Sequence, residues 1–223
     1  MSHKTITVII PVKNGINYLR EALESLVSQG MDLEIIVVDD ASDDGTATLA
    51  REYGCTVIRH DVCRGQVVAK NTGIAAANGR FIMFMDHDDV MRPGALKELF
   101  ESLEASPEAG AVMAKVQDFL SPDAGPMPGV LIRQEAYHGL FTGAVLIRKS
   151  ALDVIGPFDE TRHTGEIIEW QTRMDANHLQ IKKIDIVATN RRIHRTNFGR
   201  TDAKTEFKDY AAVLRERLKS IRK

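Results

Sequence analysis

Cysteine is nearly absent: Cys55 and Cys63 are the only two in 223 residues. Two thiols cannot build a disulfide framework, which excludes a small disulfide-held scaffold and leads us to expect a reducing, cytoplasmic setting. An excess of either charge is also missing. The 29 Lys and Arg nearly balance the 31 Asp and Glu, leaving a net charge of −2, so the chain has no basic footprint and no nucleic-acid partner is expected. Apolar runs long enough to span a bilayer are lacking. The first residues, Met1 to Thr5, lead straight into a strand-like run without the apolar core of a signal peptide. What is present, 43% hydrophobic and 27% charged residues, excludes a disordered chain. The length suits a single domain, 1–223, with a first half to residue 105, a second half from 106 to 200, and a terminal helix from 201 to 223.

The first half alternates two periodicities. Thr5 to Pro11, Leu33 to Val38, Thr56 to Arg59 and Arg80 to Met85 read as strands. Asn17 to Gln29, Thr46 to Tyr53, Gly65 to Asn78 and the segment after Pro93 read as helices. The first helix places Leu19, Ala22, Leu23, Leu26 and Val27 on one face. Repeated strand–helix units predict an α/β fold, with a mostly parallel sheet and helices on both faces. Ligands of such sheets bind beyond the carboxyl ends of the strands. That rule selects Pro11 to Asn14, Asp39-Asp40 and Asp86 to Asp89. In the second half, Ser121 to Gly129 carries three prolines and two glycines and reads as a loop. Gly143 to Arg148 and Ile181 to Thr189 read as strands, and Gly165 to Asn177 as partly helical. Lys204 to Lys223 reads as a basic amphipathic helix, which suits either a docked helix or peripheral contact with an anionic membrane face.

Chemistry concentrates at the acidic turn Asp86-His87-Asp88-Asp89. Adjacent carboxylates at a buried strand end repel unless something neutralises them, and a hard divalent cation with phosphate oxygens would do so. The plainer alternative is a solvated turn with capping aspartates. A second cluster runs from Asp39 to Asp44, where Ser42, Asp43 and Asp44 are candidate helix caps and Asp39 and Asp40 abut the strand.

Together these segments, VIIPVKNG, EIIVVDDASDDGT and AKNTGIAAANGRFIMFMDHDDVMRPGAL, resemble the family 2 glycosyltransferases. That family's line is close to P-x-x-N, V-D-D-x-S-x-D-x-T and R-N-x-G-x-x-x-A-x-G-x-x-I-x-F-x-D-x-D-D. The likeness is strong over residues 5–105. It is looser over 140–200, through Gly156 to Glu160 and Arg192-Ile193-His194. The resemblance implies a GT-A fold, a Rossmann-like nucleotide-binding sheet. It implies an inverting transfer of sugar from a nucleoside diphosphate donor, most often UDP-linked, to an acceptor hydroxyl of a glycan, a lipid-linked molecule or a small molecule. It also implies Mn²⁺ or Mg²⁺ as cofactor.

By the same resemblance Pro11, Val12 and Asn14 line the nucleotide pocket. Asp40 holds the base with Asp39 beside it, Lys70 lies near the nucleotide, and Asp86 meets the ribose or sugar. Asp88 ligates the metal, and His194 reaches the metal or the diphosphate. Two positions depart from the family. Lys13 stands where an aromatic residue often precedes the Asn. Ile167 stands where many members have the Asp that acts as base in G-E-D-x-D-x-x-x-R. Glu166 or Glu169 must then serve; Glu169 is favoured, with Trp170 either a sugar-stacking platform or a core side chain. The alternative reading is a catalytically impaired nucleotide-sugar-binding or partner-binding protein on the same fold. A sugar-nucleotide pyrophosphorylase is disfavoured, because Pro11 to Gly15 is not a G-x-G-x-R loop.

Overall fold

A computed structural model describes residues 5–139, 142–162 and 165–197. The terminal helix expected over 201–223 lies outside these residues, as do His163 and Arg200. Among the described residues no helix is long and apolar enough to cross a membrane.

One sheet of eight strands organises the chain, in the order β3-β2-β1-β4-β7-β6-β8-β5. The strands are β1 (Ile6–Val12), β2 (Leu33–Asp39), β3 (Thr56–Arg59), β4 (Phe81–Phe84), β5 (Val90–Met91), β6 (Ala109–Leu120), β7 (Val145–Arg148) and β8 (Gln180–Ile193). β3, β2, β1 and β4 pair in parallel, and β6 pairs in parallel with β8. β7 runs antiparallel between β4 and β6, and β5 runs antiparallel to β8. The helices are α1 (Leu19–Val27), α2 (Thr46–Glu52), α3 (Gln66–Ala76), α4 (Ala95–Glu104), α5 (Lys149–Ile155) and α6 (Glu166–Ala176).

The period of two along β1 sorts the core. Val8, Ile10 and Val12 pack with Leu19, Leu23 and Leu26 of α1, Leu49 of α2, and Leu96, Leu99 and Leu103 of α4. Ile9 faces the other way, to Val67 and Ala69 of α3, Leu152 and Ile155 of α5, and Ile168, Trp170 and Met174 of α6. Helices thus cover both faces, as the strand–helix alternation predicts. Leu19, Leu23 and Leu26 are fully buried, each such burial contributing roughly 1.5–3 kcal/mol. Val27, expected on the same stripe, is 60% exposed, because it lies about 100° round the helix from the buried Leu26, at the edge of the apolar face.

Close approach matters at Gly73. A Cβ there would sit 2.3 Å from Ile9 Cγ2, so only glycine lets α3 lie this near β1. Lys70, three residues earlier on the same helical face, is thereby carried inward at the carboxyl ends of the strands.

Three elements go beyond the sequence expectation. β5, β6 and α5 fall where no strand or helix is read, and β8 extends beyond the expected Thr189 to Ile193.

Candidate active site

The acidic turn follows β4 and is held from several directions. Asp89 N–H donates to Asp86 O at 3.2 Å, closing the turn. Asp89 Oδ1 accepts the backbone N–H of Arg192 at 2.9 Å, and Asp88 O accepts Arg192 Nε at 2.8 Å. Arg192 is 4% exposed. Its guanidinium lies 5.0 Å from the Tyr18 ring and 4.7 Å from the Phe119 ring, and pairs with Glu21 at 2.5 Å. His194 Nε2 lies 2.8 Å from Asp88 Oδ2, and Asn197 Nδ2 donates to the same oxygen at 3.2 Å. An ionised Asp88 only accepts, so the hydrogen sits on Nε2. The Thr196 N–H, 3.3 Å from Nδ1, agrees with that tautomer.

The electrostatics are those of crowded, buried carboxylates. Burial raises the Asp86 carboxyl above its ordinary value; the Lys70 charge opposes this and the Asp88 charge adds to it. Burial and the charges of Asp88 and Asp86 push Asp89 well up. Asp88 goes the other way: burial works against its charge, but the His194 hydrogen bond and the His87 charge hold it below the usual range. Among the described residues no three His, Cys, Asp or Glu side chains are arranged to hold a metal unaided. Asp88 offers a hard oxygen, and His194 would offer its Nε2 once the proton given to Asp88 is displaced. Such a partial donor set fits Mg²⁺ or Mn²⁺, which commonly take one or two protein ligands and complete their shell with substrate phosphates and water.

At the carboxyl end of β1, Pro11 and Val12 are buried, and Lys13 and Asn14 after them are exposed. Asn14 has φ 53°. Its N–H donates to Ser42 Oγ at 2.8 Å, and its Oδ1 accepts the Asp43 N–H at 3.0 Å. Gly15 ties this loop to the acidic turn, since a Cβ there would lie 2.7 Å from His87 Cδ2. Asp39 is fully buried; it accepts Ser42 N–H at 2.9 Å and Arg59 Nη1 at 2.6 Å.

Asp40 is a correction to the sequence reading. Its Oδ1 meets His60 Nδ1 at 2.7 Å and Arg64 N–H at 2.8 Å. Its Oδ2 meets Cys63 Sγ at 3.2 Å and Gly65 N–H at 2.7 Å. Four donors fill the roughly four lone-pair positions of a carboxylate. Burial opposes its charge, yet the Arg64 N–H and the other donors keep its pKa below the ordinary value. Asp40 therefore fastens the 60–65 loop and has no lone pair left for a base. Asp39 accepts two hydrogen bonds and is likewise enclosed.

α6 brings further corrections. Glu166, in its first turn, is 7% exposed, and its Oε1 lies 2.5 Å from Lys70 Nζ. Lys70 is 2% exposed, so its ammonium faces Glu166 rather than an open nucleotide cleft. Its pKa is raised: burial works against the charge, but Glu166 and Asp86 outweigh it. Glu169 points elsewhere. Arg173 Nη2 donates to Glu169 Oε2 at 2.7 Å, while Nη1 of the same arginine binds Ile155 O and, at 2.8 Å, Pro157 O. Glu169 thus braces the α5–α6 connection. Trp170 is fully buried in the core with Met174 and Ile168, and so offers no face to a sugar. Ile167 is 3% exposed and packs in the same cluster.

Tyr18, Glu21 and Asp123 join the site without a sequence signal of their own; Asn197, which the sequence suggests only as part of a loop near the donor, meets Asp88. The Tyr18 ring lies 4.6 Å from that of His194, and its hydroxyl donates to Asp123 Oδ2 at 2.8 Å. Asp123 belongs to the proline- and glycine-rich loop, which Arg195 also holds through Ala124 O at 2.9 Å. The R-x-H segment had pointed to Arg192 only as a neighbour of His194.

A mixed sheet flanked by helices, with an acidic turn at its carboxyl edge, is the architecture of the GT-A enzymes. TarS of S. aureus, residues 1–349 in complex with UDP-GlcNAc, superposes with a TM-score of 0.76 over 96% of this chain and 65% of its own, at 20% identity. The mannosyltransferase PcManGT of Pyrobaculum calidifontis, solved with GDP-Man and Mn²⁺, gives 0.71 over 100% of this chain and 66% of its own, at 18% identity. At such identities the likeness is one of fold. The model of the glycosyl transferase family 2 matches residues 7–158, and the chain belongs to that family. The pre-mycofactocin glycosyltransferase of Mycobacterium tuberculosis is 28% identical over 210 residues, 86% of this chain and 44% of that one. The chain spans less than half the length of the curated relatives it matches.

Proposed function

We propose that the chain transfers a glycosyl unit from a nucleoside diphosphate sugar, UDP-linked by preference, to an acceptor hydroxyl, with inversion at the anomeric carbon. The acceptor is a glycan, a lipid-linked molecule or a small molecule. The observation that carries this reading is the convergence of Asp86, Asp88 and His194 with Glu166 near the carboxyl ends of the strands, Lys70 pairing with Glu166 and feeling the Asp86 charge. Asp39, with Arg59 beside it, and the Asn14 loop receive the nucleoside, and Asp86 the ribose or sugar. Asp88 and His194 would hold Mn²⁺ or Mg²⁺, which supplies positive charge against the leaving diphosphate. Glu166, rather than Glu169, takes the proton of the acceptor hydroxyl. As that proton leaves, the acceptor oxygen bonds to the anomeric carbon and the bond to the diphosphate oxygen breaks. The rival reading, an impaired scaffold, rested on Ile167. The buried Glu166 beside it supplies the carboxylate that Ile167 lacks.

The test is calorimetric binding of UDP and GDP with Mn²⁺ or chelator, followed by hydrolysis of UDP-sugars with water as acceptor. Metal-dependent UDP binding is expected. Glu166→Gln is expected to keep that affinity and lose roughly 10²–10⁴-fold in turnover, while Glu169→Gln retains both. The proposal fails if neither nucleotide binds under either condition, or if Glu169→Gln alone stops turnover.

A further inference from the structure

We infer that Lys70 acts on the reaction through Glu166: it is the positioning residue that presents the carboxylate to the acceptor, and not a contact to the donor phosphates. The inference rests on the reading of Glu166 as base and names the device that orients it.

Three observations converge. First, Lys70 and Glu166 are 96 residues apart in sequence, yet Nζ and Oε1 meet at 2.5 Å, and both side chains are more than nine-tenths buried. An ammonium so enclosed has no open path to a phosphate unless the pair separates. Second, the charges are arranged to need it. Glu166 pairs with Lys70 directly, the Asp86 charge acts on the same ammonium, and Asp86 and Glu166 act on each other as like charges. Third, the neighbouring residue on α3 grips the same incoming segment. Asn71 Nδ2 donates to Phe158 O at 2.9 Å and to Glu160 Oε1 at 3.0 Å, and Asn71 Oδ1 accepts the Phe158 N–H at 2.9 Å. Lys70 and Asn71 thus hold two points, Phe158 and Glu166, of the stretch that leads into α6. Asn71 fixes the backbone at one end, and Lys70 fixes the functional side chain at the other. The compact ammonium, with three rotatable donors, can hold one oxygen of Glu166 and leave the other to an acceptor. A planar guanidinium would bind both.

A double-mutant cycle tests this, with Lys70→Met, Glu166→Gln and the pair. Each protein is measured for UDP affinity in Mn²⁺, for saturated UDP-sugar hydrolysis and for thermal melting. Lys70→Met is expected to change the UDP Kd by less than about threefold and to lower turnover roughly 100-fold. In the Glu166→Gln background the same change should cost less than about twofold, because the residue it acts through is already disabled. Lys70→Met leaves two carboxylates buried without their cation. Should it fail to fold, the double variant, which removes a charge of each sign, carries the comparison against Glu166→Gln alone. The inference is overturned if Lys70→Met, or the double variant relative to Glu166→Gln, weakens UDP binding tenfold or more. It is also overturned if the two losses of turnover multiply. A wild-type chain that binds no nucleotide instead removes the glycosyltransfer reading, and this inference with it. Failure of the inference alone leaves wild-type binding and turnover intact.

Discussion

Asp40→Asn separates the two roles that Asp40 could hold, and its cost follows from four hydrogen bonds. The substitution keeps the shape of the side chain but turns one oxygen into a donating NH₂. If that group replaces Oδ1, it faces the N–H of Arg64 and the His60 ring. If it replaces Oδ2, it faces the Gly65 N–H and the Cys63 thiol. Each orientation has one partner that can adapt, the His60 ring by accepting at Nδ1 or the thiol by rotating. Even so, one backbone N–H, of Arg64 or of Gly65, then faces a donor, and the remaining bonds lose their charge. A hydrogen bond to a charged group contributes about 1.5–3 kcal/mol, so the net cost is about 2–4 kcal/mol. For a domain of this size that is a fall in Tm of roughly 4–16 °C. Circular dichroism melts with and without UDP are the assay. The expected variant melts early, and whatever affinity for UDP it loses is recovered as temperature is lowered. The reasoning is refuted if Asp40→Asn melts within about 1 °C of the wild type and has lost UDP binding. Asp40 would then meet the base, as the strand-end position suggests from sequence.

Two further outcomes are expected. Arg192→Lys cannot reproduce the flat group that lies between two rings and reaches Asp88 O; metal-dependent nucleotide affinity should fall roughly 10–100-fold with chelator-insensitive binding unchanged, and calorimetry showing equal loss in chelator would contradict this. Asp40, Asp44, Asp159 and Glu34 all have folded-state pKa values below their ordinary ones, in Asp159 chiefly through hydrogen bonds from Thr161, and in the other three because hydrogen bonds outweigh burial. The stability they supply is full above their unfolded values near pH 4 and is lost as pH falls through the folded ones, so Tm should drop steeply below about pH 4; a flat Tm down to pH 3 would count against it.

How much could be read from the sequence depended on how local the determining physics was. β1 to β4 and the helices between them were legible because their apolar periods and glycine stops lie within a few residues. The acidic turn does follow the carboxyl end of β4, the position the strand rule selects. β6 was not legible. Its run Ala109 to Leu120 is rich in residues that suit a helix, and it becomes a strand because β7 and β8 enclose it. The choice between Glu166 and Glu169 shows the same limit at the site. Both fall in the first turn of α6, three residues apart on roughly one face. Which one meets Lys70 depends on how far the helix is rotated about its axis, and that is fixed by Ile167, Ile168 and Trp170 filling the core. Asp40 was misread for a related reason: its partners come from a loop twenty to twenty-five residues away, which nothing in the motif specifies.

The place of β7 bears on how the chain comes to be assembled. As a polypeptide leaves the ribosome, β1 to β4 emerge first and can pair at once. The outer edge of β4, with Phe81 to Phe84 all buried in the finished sheet, then stays unpaired until Val145 to Arg148 arrive more than sixty residues later. Exposed apolar edges are templates for unwanted pairing. The nascent chain is therefore most vulnerable to association in that interval, and a fragment ending after α4 would carry the same open edge permanently. The strand that runs against its neighbours is the one that joins the sheet segments of the two halves.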